Sequence, residues 1–126
     1  MITYKAKGKL IYYPSWWLVL YTDNEICKYY RSLMFLEFKH LKINAPKHEA
    51  HISIIYGDRE EPLNKHFWGK YKDEEIDISY DPFIIQDREY FYMRVYCTRI
   101  EDIRVELGLP PNHEDTPWHI TIGNTK

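Results

Sequence analysis

The stretch HISIIY (residues 51–56) places polar side chains at alternate positions between aliphatic ones. Residues two apart in a β-strand point to the same face, so His51 and Ser53 share one face while the isoleucines occupy the other. A second stretch, WHITI (residues 118–122), repeats this order with His119 and Thr121. Each stretch predicts a strand whose isoleucines pack in a core and whose other face presents an imidazole and a hydroxyl.

The same order of signals precedes each of these two strands. The β-prone run at residues 16–21 (WWLVLY) ends at a capping-box pattern in residues 22–25, and apolar residues then recur at helical spacing over 24–40. The aromatic run at residues 90–97 (YFYMRVYC) ends at a second capping-box pattern in 98–101, followed by a short apolar helix. Each half of the chain therefore predicts a strand, a capped helix, a loop and a histidine-bearing strand.

These repeated signals predict an α+β fold over a single domain, residues 1–126. Clean alternation at residues 76–80 and a short apolar run at 83–85 predict further strands. The expected architecture is two pseudo-symmetric lobes of antiparallel sheet with flanking helices and an active-site groove between them. In that arrangement the two histidine-bearing strands lie side by side and their four polar side chains converge.

Composition limits the class of ligand. The chain has a formal net charge of −2 and a sequence pI near 6.3, so it has no basic field that would attract long duplex nucleic acid. Aromatic residues make up 17% of the chain, more than a core of this size requires, which predicts exposed rings that stack on bases. The candidate stacking and substrate-binding residues are Tyr12, Tyr13, Tyr56, Trp68 and Trp118.

The cysteines, the histidines and the apolar runs predict a cytoplasmic protein without a metal or another cofactor. Cys27 and Cys97 lack close metal-ligand spacing and are expected to be free thiols. His48 and His51 form an H-x-x-H pattern, but in a loop leading into a strand residues three apart face opposite ways, which argues against zinc. The longest apolar run, residues 16–21, is too short to span a bilayer.

The two His-x-Ser/Thr motifs fit the requirements of phosphodiester cleavage. An in-line displacement needs one group that takes a proton from the nucleophile and another that gives a proton to the leaving oxygen. Histidine suits both tasks because its usual pKa of about 6.5 keeps both protonation states accessible near neutrality. The hydroxyls of Ser53 and Thr121 are suited to donate hydrogen bonds to phosphate oxygens, as in an oxyanion hole.

The paired motifs resemble those of the 2H phosphoesterase superfamily, whose members carry two His-φ-Ser/Thr-φ motifs on the central strands of two pseudo-symmetric lobes. The resemblance implies that His51 and His119 form the acid–base pair and that Ser53 and Thr121 bind phosphate. It implies substrates such as 2′,3′-cyclic phosphates, 2′–5′-linked oligoadenylates and cyclic oligonucleotides. The short, aromatic-rich chain is similar to small phage-encoded members that destroy cyclic-nucleotide signals, which implies action in the host cytoplasm.

Two alternatives to the enzyme follow from the same features. A nucleotide-binding module would keep the groove but only sequester its ligand, and turnover of excess ligand separates it from an enzyme. An interaction protein that uses its aromatic residues as a docking face would be insensitive to loss of both motif histidines. Within the enzyme class, a small cyclic or 2′–5′-linked oligonucleotide is the favoured substrate, and a terminal 2′,3′-cyclic phosphate is the second choice.

Overall fold

The computed structural model describes residues 2–37, 42–48, 50–113 and 116–125. The strands are β1 (Tyr4–Tyr13), β2 (Trp17–Thr22), β3 (His51–Ile55), β4 (Glu75–Tyr80), β5 (Ile85–Asp87), β6 (Tyr90–Tyr96) and β7 (His119–Asn124). The helices are α1 (Asn24–Glu37) and α2 (Thr98–Glu106), and short 3-10 turns occupy Pro14–Trp16 and Lys65–Phe67.

Six strands form one antiparallel path in the order β3-β2-β1-β4-β6-β7, and the short β5 pairs with the first part of β6. The two end strands, β3 and β7, lie side by side, so the sheet is nearly closed into a barrel. The predicted α+β fold with an antiparallel sheet and helices is confirmed. The described strands belong to one sheet, and the finer prediction of two pseudo-symmetric lobes stays a prediction.

The sheet has two chemically different faces, which the strand registers define. One face is apolar, and its residues make up most of a single core cluster. The other is called the polar face here. Tracing directly opposed residues from strand to strand places the following side chains on it: Lys5, Lys7, Lys9, Ile11, Tyr13, Trp17, Val19, Tyr21, His51, Ser53, Glu75, Asp77, Ser79, Tyr92, Arg94, Tyr96, His119 and Thr121.

Helix α1 begins where a side chain replaces the missing backbone partners of its first turn. Asp23 accepts a hydrogen bond from the Glu25 amide at 2.9 Å, so Asp23 is the capping residue. The predicted capping box is wrong, because the Thr22 hydroxyl donates instead to the Lys7 carbonyl at 2.9 Å. Thr22 is the last residue of β2, and its pairing with β1 holds it in the sheet.

Helix α2 also begins one residue away from the predicted position. Thr98 lies inside the helix, and Cys97 occupies the capping position with no side-chain hydrogen bond. The predicted capping box at residues 98–101 is therefore wrong. The predicted apolar stripe is confirmed, since Ile100, Ile103 and Leu107 are buried in the core.

The longest strand, β1, was absent from the sequence-based prediction. Its KAKGK segment (residues 5–9) alternates lysines with small residues, which gives little hydrophobic signal. The strand forms because it lies between β2 and β4 and pairs with both of them along most of its length. None of the described helices is both long enough and apolar enough to cross a membrane.

Candidate functional site

The two motifs occupy β3 and β7 with the predicted alternation. Ile52, Ile54, Ile120 and Ile122 are fully buried. His51 and Ser53 on β3, like His119 and Thr121 on β7, are partly exposed on the polar face. Within the described part of the chain, neither motif hydroxyl has a hydrogen-bond partner, so both are available to a ligand.

Two arginines hold the motif strands from opposite helices. Arg104 of α2 donates from Nη1 to the Ile54 carbonyl at 2.8 Å, and Arg31 of α1 donates from Nη1 to the Ile122 carbonyl at 2.7 Å. Both acceptors are the fourth residue of a motif. The anchors are crossed: α1, which precedes β3 in the chain, holds β7, while α2, which precedes β7, holds β3.

The carbonyl of the third residue in each motif is also bound by a side chain. His113 Nε2 lies 3.2 Å from the Ser53 carbonyl, and the Cys27 thiol donates to the Thr121 carbonyl at 3.6 Å. Because a carbonyl oxygen only accepts, Nε2 of His113 carries the hydrogen. Side chains thus satisfy carbonyls on both end strands, and the two strands remain adjacent without being joined in the sheet path.

A buried charged network supports β3. Arg104 is 1% exposed and forms a two-pronged pair with Glu60, with Nη2 2.9 Å from Oε2. Burial raises the pKa of Glu60, but the hydrogen bonds and charge of Arg104 outweigh it and leave that pKa below its usual value. His113 Nδ1 lies 3.2 Å from Glu60, which favours the charged ring, yet burial is the larger effect and lowers the pKa of His113.

The first motif lines a cavity of about 580 Å³. His51 and Ser53 form one wall, Trp17 and His48 another, and Tyr56 lies beside Gly57. The rings of Trp17 and His48 lie 6.4 Å and 5.8 Å from the ring of His51, measured between centroids. This is an aromatic compartment of the size that small ligands occupy.

The cavity depends on a tight turn in residues 14–16. Ser15 and Trp16 have φ angles of 65° and 63°, in the left-handed region that non-glycine residues rarely adopt. The turn lies against Gly57, where a Cβ atom would come within 1.7 Å of the Ser15 carbonyl oxygen. Glycine is therefore required at position 57 for the turn and the end of β3 to approach each other.

The second motif has a different setting. His119 Nδ1 lies 2.9 Å from the Pro117 carbonyl, which can only accept, so Nδ1 carries the hydrogen and Nε2 is left to exchange a proton with a ligand. The ring of Tyr92 lies 5.3 Å from that of His119, and Arg94 is the directly opposed residue on β6. His119 and Thr121 do not line the aromatic cavity.

The structure divides the five predicted stacking residues. Tyr13 and Tyr56 lie near the first motif: Tyr13 stacks on Trp17 at 4.7 Å between ring centroids, and Tyr56 lines the cavity. Tyr12 lies on the other face and packs edge-on against Trp68 at 4.9 Å.

The fifth predicted stacking residue, Trp118, is 5% exposed. Its indole N–H is 3.3 Å from a Glu101 oxygen, and its ring packs against His113 at 4.8 Å. The burial of Trp118 favours packing over base stacking. A role in binding substrate stays a prediction for all five residues.

Sequence reasoning missed the residues that hold the motif strands. Arg104 falls four residues after Ile100, on the apolar stripe of α2, and a charged residue at such a position is a signal for a buried ion pair. Arg31 lies four residues after the buried Cys27 in the same way. Trp17, in the β-prone run at residues 16–21, lies in β2 and also lines the cavity.

The thiols and the metal-ligating side chains show no further reactive centre among the described residues. Cys27 and Cys97 do not form a disulfide. Burial raises the pKa of Cys27 from 9.0 to about 11 and also raises the pKa of Cys97. No group of three or more His, Cys, Asp or Glu side chains in residues 2–37, 42–48, 50–113 and 116–125 has an arrangement that could hold a metal ion.

Comparison with known proteins gave no match to a family model, a curated protein or a solved structure.

Proposed function

We propose that this protein is a metal-independent phosphodiesterase that cleaves a small nucleotide phosphodiester by two-histidine acid–base catalysis. The observation that carries the proposal is that β3 and β7 lie side by side with both His-x-Ser/Thr pairs on the polar face. The matched anchoring of the two strands by Arg104 and Arg31 adds support. If the two histidines were unrelated structural residues, there would be no reason for an arginine to bind the carbonyl of the fourth motif residue on both strands.

The reaction follows from the groups that the polar face offers. Nε2 of one neutral histidine takes the proton from a water molecule or a ribose hydroxyl, whose oxygen forms a bond to phosphorus. The bond from phosphorus to the leaving oxygen breaks, and the other histidine, as imidazolium, gives that oxygen a proton. The hydroxyls of Ser53 and Thr121 donate to the non-bridging oxygens, where negative charge accumulates. The two histidines exchange protonation states in one turnover.

We also propose that the barrel consists of two pseudo-symmetric halves, as the sequence predicts. The order β3-β2-β1 from one end corresponds to β7-β6-β4 from the other. In each half a strand, a helix and a histidine-bearing strand follow one another, and each helix supports the motif strand of the other half. Such an exchange of helices explains why the two halves form one continuous sheet.

The favoured substrate is a small cyclic or 2′–5′-linked oligonucleotide. The aromatic cavity beside His51 suits a base, and the net charge of −2 does not favour long duplex nucleic acid. The alternatives are a terminal 2′,3′-cyclic phosphate and a module that binds a nucleotide without cleaving it.

A turnover assay in EDTA tests the proposal. The panel contains cyclic dinucleotides and trinucleotides, a 2′–5′-linked oligoadenylate and a 2′,3′-cyclic nucleotide, each in excess over enzyme and followed by chromatography. The proposal expects conversion of at least one member by the wild type and loss of conversion in His51→Ala/His119→Ala.

A control variant removes a histidine that lies outside both motifs. His66→Ala removes an exposed histidine in the Lys65–Phe67 turn, away from both motif strands, and is expected to retain wild-type turnover. Stoichiometric binding of one panel member without conversion would replace the enzyme with the sequestering module. Conversion that persists in the double variant would assign the chemistry to other residues.

A further inference from the structure

A second basic and aromatic region lies on the same polar face, outside the aromatic cavity. Arg94 of β6 is exposed and is directly opposed to His119 of β7. The neighbouring backbone bonds, from Val95 N to Trp118 O and from Asp81 N to Arg94 O, make the opposed pair a narrow, non-hydrogen-bonded one. The Cβ atoms of such a pair are close, so the Arg94 side chain starts next to that of His119 and its guanidinium is within reach of a ligand bound there.

No described residue neutralises the charge of Arg94. Among the described residues, Arg94 makes no ion pair, and neither does Lys5. Lys7, in contrast, lies 3.1 Å from Glu75 and 3.7 Å from Asp77. An uncompensated arginine next to a catalytic candidate is suited to a second anion, because its fork matches two phosphate oxygens at once.

Beyond Arg94 the polar face opens into a second cavity of about 580 Å³. Tyr96, two residues along β6 and therefore on the same face, forms part of its wall and is 42% exposed. Lys5 and Thr98 also line the cavity, and so does Asp77. The carboxylate of Asp77 disfavours a phosphate inside this cavity, whereas a ring face and hydrogen-bonding groups suit a nucleoside.

We infer that this region is a second nucleotide subsite, in which Arg94 binds the phosphate next to the scissile one and the cavity beside Tyr96 takes the neighbouring nucleoside. The inference rests on the proposed phosphodiesterase function and deepens it. It selects an oligonucleotide with at least two phosphodiester groups over a mononucleotide 2′,3′-cyclic phosphate, which would leave both Arg94 and the second cavity unused.

Selectivity between two substrates tests the inference. We compare kcat/KM for a 2′–5′-linked triadenylate and a cyclic trinucleotide with kcat/KM for 2′,3′-cyclic AMP. The selectivity ratio is kcat/KM for the longer substrate divided by kcat/KM for 2′,3′-cyclic AMP. Arg94→Gln is expected to lower this ratio at least tenfold by raising KM for the longer substrate. Tyr96→Leu, which removes the ring but keeps apolar bulk, is expected to lower it at least threefold. Arg88→Gln, an exposed arginine in the turn between β5 and β6, is the matched control and leaves the ratio unchanged.

If the selectivity ratio of Arg94→Gln stays within twofold of the wild-type ratio, the proposed subsite is wrong, because Arg94 would then act only on the shared scissile phosphate or on His119. A binding measurement separates failure of the subsite from failure of the proposed function. In the His51→Ala/His119→Ala background, Arg94→Gln is expected to reduce the salt dependence of triadenylate binding by about 0.7 in log–log slope, as for loss of one single-strand phosphate contact.

The two arms therefore have distinct outcomes. If the wild type cleaves nothing but its triadenylate affinity depends on Arg94, the subsite stands and the enzyme proposal fails. If it cleaves 2′,3′-cyclic AMP alone, with no triadenylate binding in the double variant, the enzyme stands and the subsite fails. Absence of binding and of cleavage for every panel member overturns both.

Discussion

The surroundings of the two motifs differ, although their strands have the same geometry. The β3 motif borders an aromatic cavity and is held by the buried Arg104–Glu60 pair and by His113. The β7 motif borders an exposed arginine and is held by Arg31 without a carboxylate partner among the described residues. The two motifs share their strand backbone and the side chains that bind their carbonyls. They differ in the chemistry of the surface around each histidine.

Under the proposed function, this difference would divide substrate binding between the surroundings of the two motifs. An aromatic compartment contributes stacking, which tolerates any base, whereas an arginine contributes charge, which requires a phosphate. A substrate held from both sides would place one of its phosphodiesters where β3 and β7 meet. The equivalent anchors would have a simpler task, since the proposed reaction requires both strands to be held at a fixed distance from each other.

The largest expected effect comes from removing either motif histidine. His51→Ala and His119→Ala are each expected to lower kcat by about 100- to 10,000-fold, because each removes one proton-transfer step. The kcat/KM profile against pH should lose one limb in each variant: the acidic limb when the base is absent and the basic limb when the acid is absent. If both variants lose the same limb, the two histidines have the same role and do not form an acid–base pair.

The next effect separates the two arginine anchors. Arg104→Met removes the two-pronged partner of the Glu60 carboxylate and the donor to the Ile54 and Pro110 carbonyls, and a broken buried pair costs about 3–5 kcal/mol of stability. Arg31→Met leaves, among the described groups, only the Ile122 carbonyl unpaired, which costs about 1–3 kcal/mol.

Urea unfolding of both arginine variants measures these costs. The double substitution Arg104→Met/Glu60→Gln is the control, and it should recover part of the loss because no unpaired charge remains. Equal losses in the two single variants would mean that the Glu60 pair contributes nothing to the anchoring of β3.

The sequence allowed the two motif strands, both helices and the α+β class to be predicted, because alternation and helical spacing lie within short segments. It did not allow β1 to be predicted, since lysines and small residues become a strand only through pairing with β2 and β4. Nor did it allow the anchors of the site to be predicted. Arg104 contacts Ile54 across fifty positions of the chain, and no local pattern contains such a contact.

Acidification is expected to weaken the β3 half selectively. The pKa of His113 is lowered from 6.5 chiefly by burial, so the unfolded state binds its proton first and stability falls as the pH drops below about 6.5. The pKa of Glu60 is also lowered, so its contribution is present above about 4.5 and is lost at more acidic pH.

Chemical denaturation between pH 7.5 and 4 measures this dependence. His113→Gln, which keeps an N–H donor for the Ser53 carbonyl, should flatten the upper part of the curve, and Glu60→Gln the lower part. A curve unchanged in both variants would show that the titrating groups lie elsewhere, including in the β7 half.

The smallest expected effect concerns the turn that only the first motif possesses. Ser15 holds a left-handed φ of 65°, which costs a non-glycine residue about 1 kcal/mol or more, whereas glycine adopts it freely and loses about 0.5–1 kcal/mol to chain entropy. Ser15→Gly is therefore expected to raise the free energy of unfolding by on the order of 0.5 kcal/mol, seen as a higher urea midpoint at unchanged slope.

Gly69→Ala is the opposite control, because Gly69 has a φ of 85° with no atom within 4 Å of an added Cβ, so backbone strain alone should lower its midpoint. A lower midpoint in Ser15→Gly would mean that the serine side chain, rather than its backbone angle, holds the turn against β3.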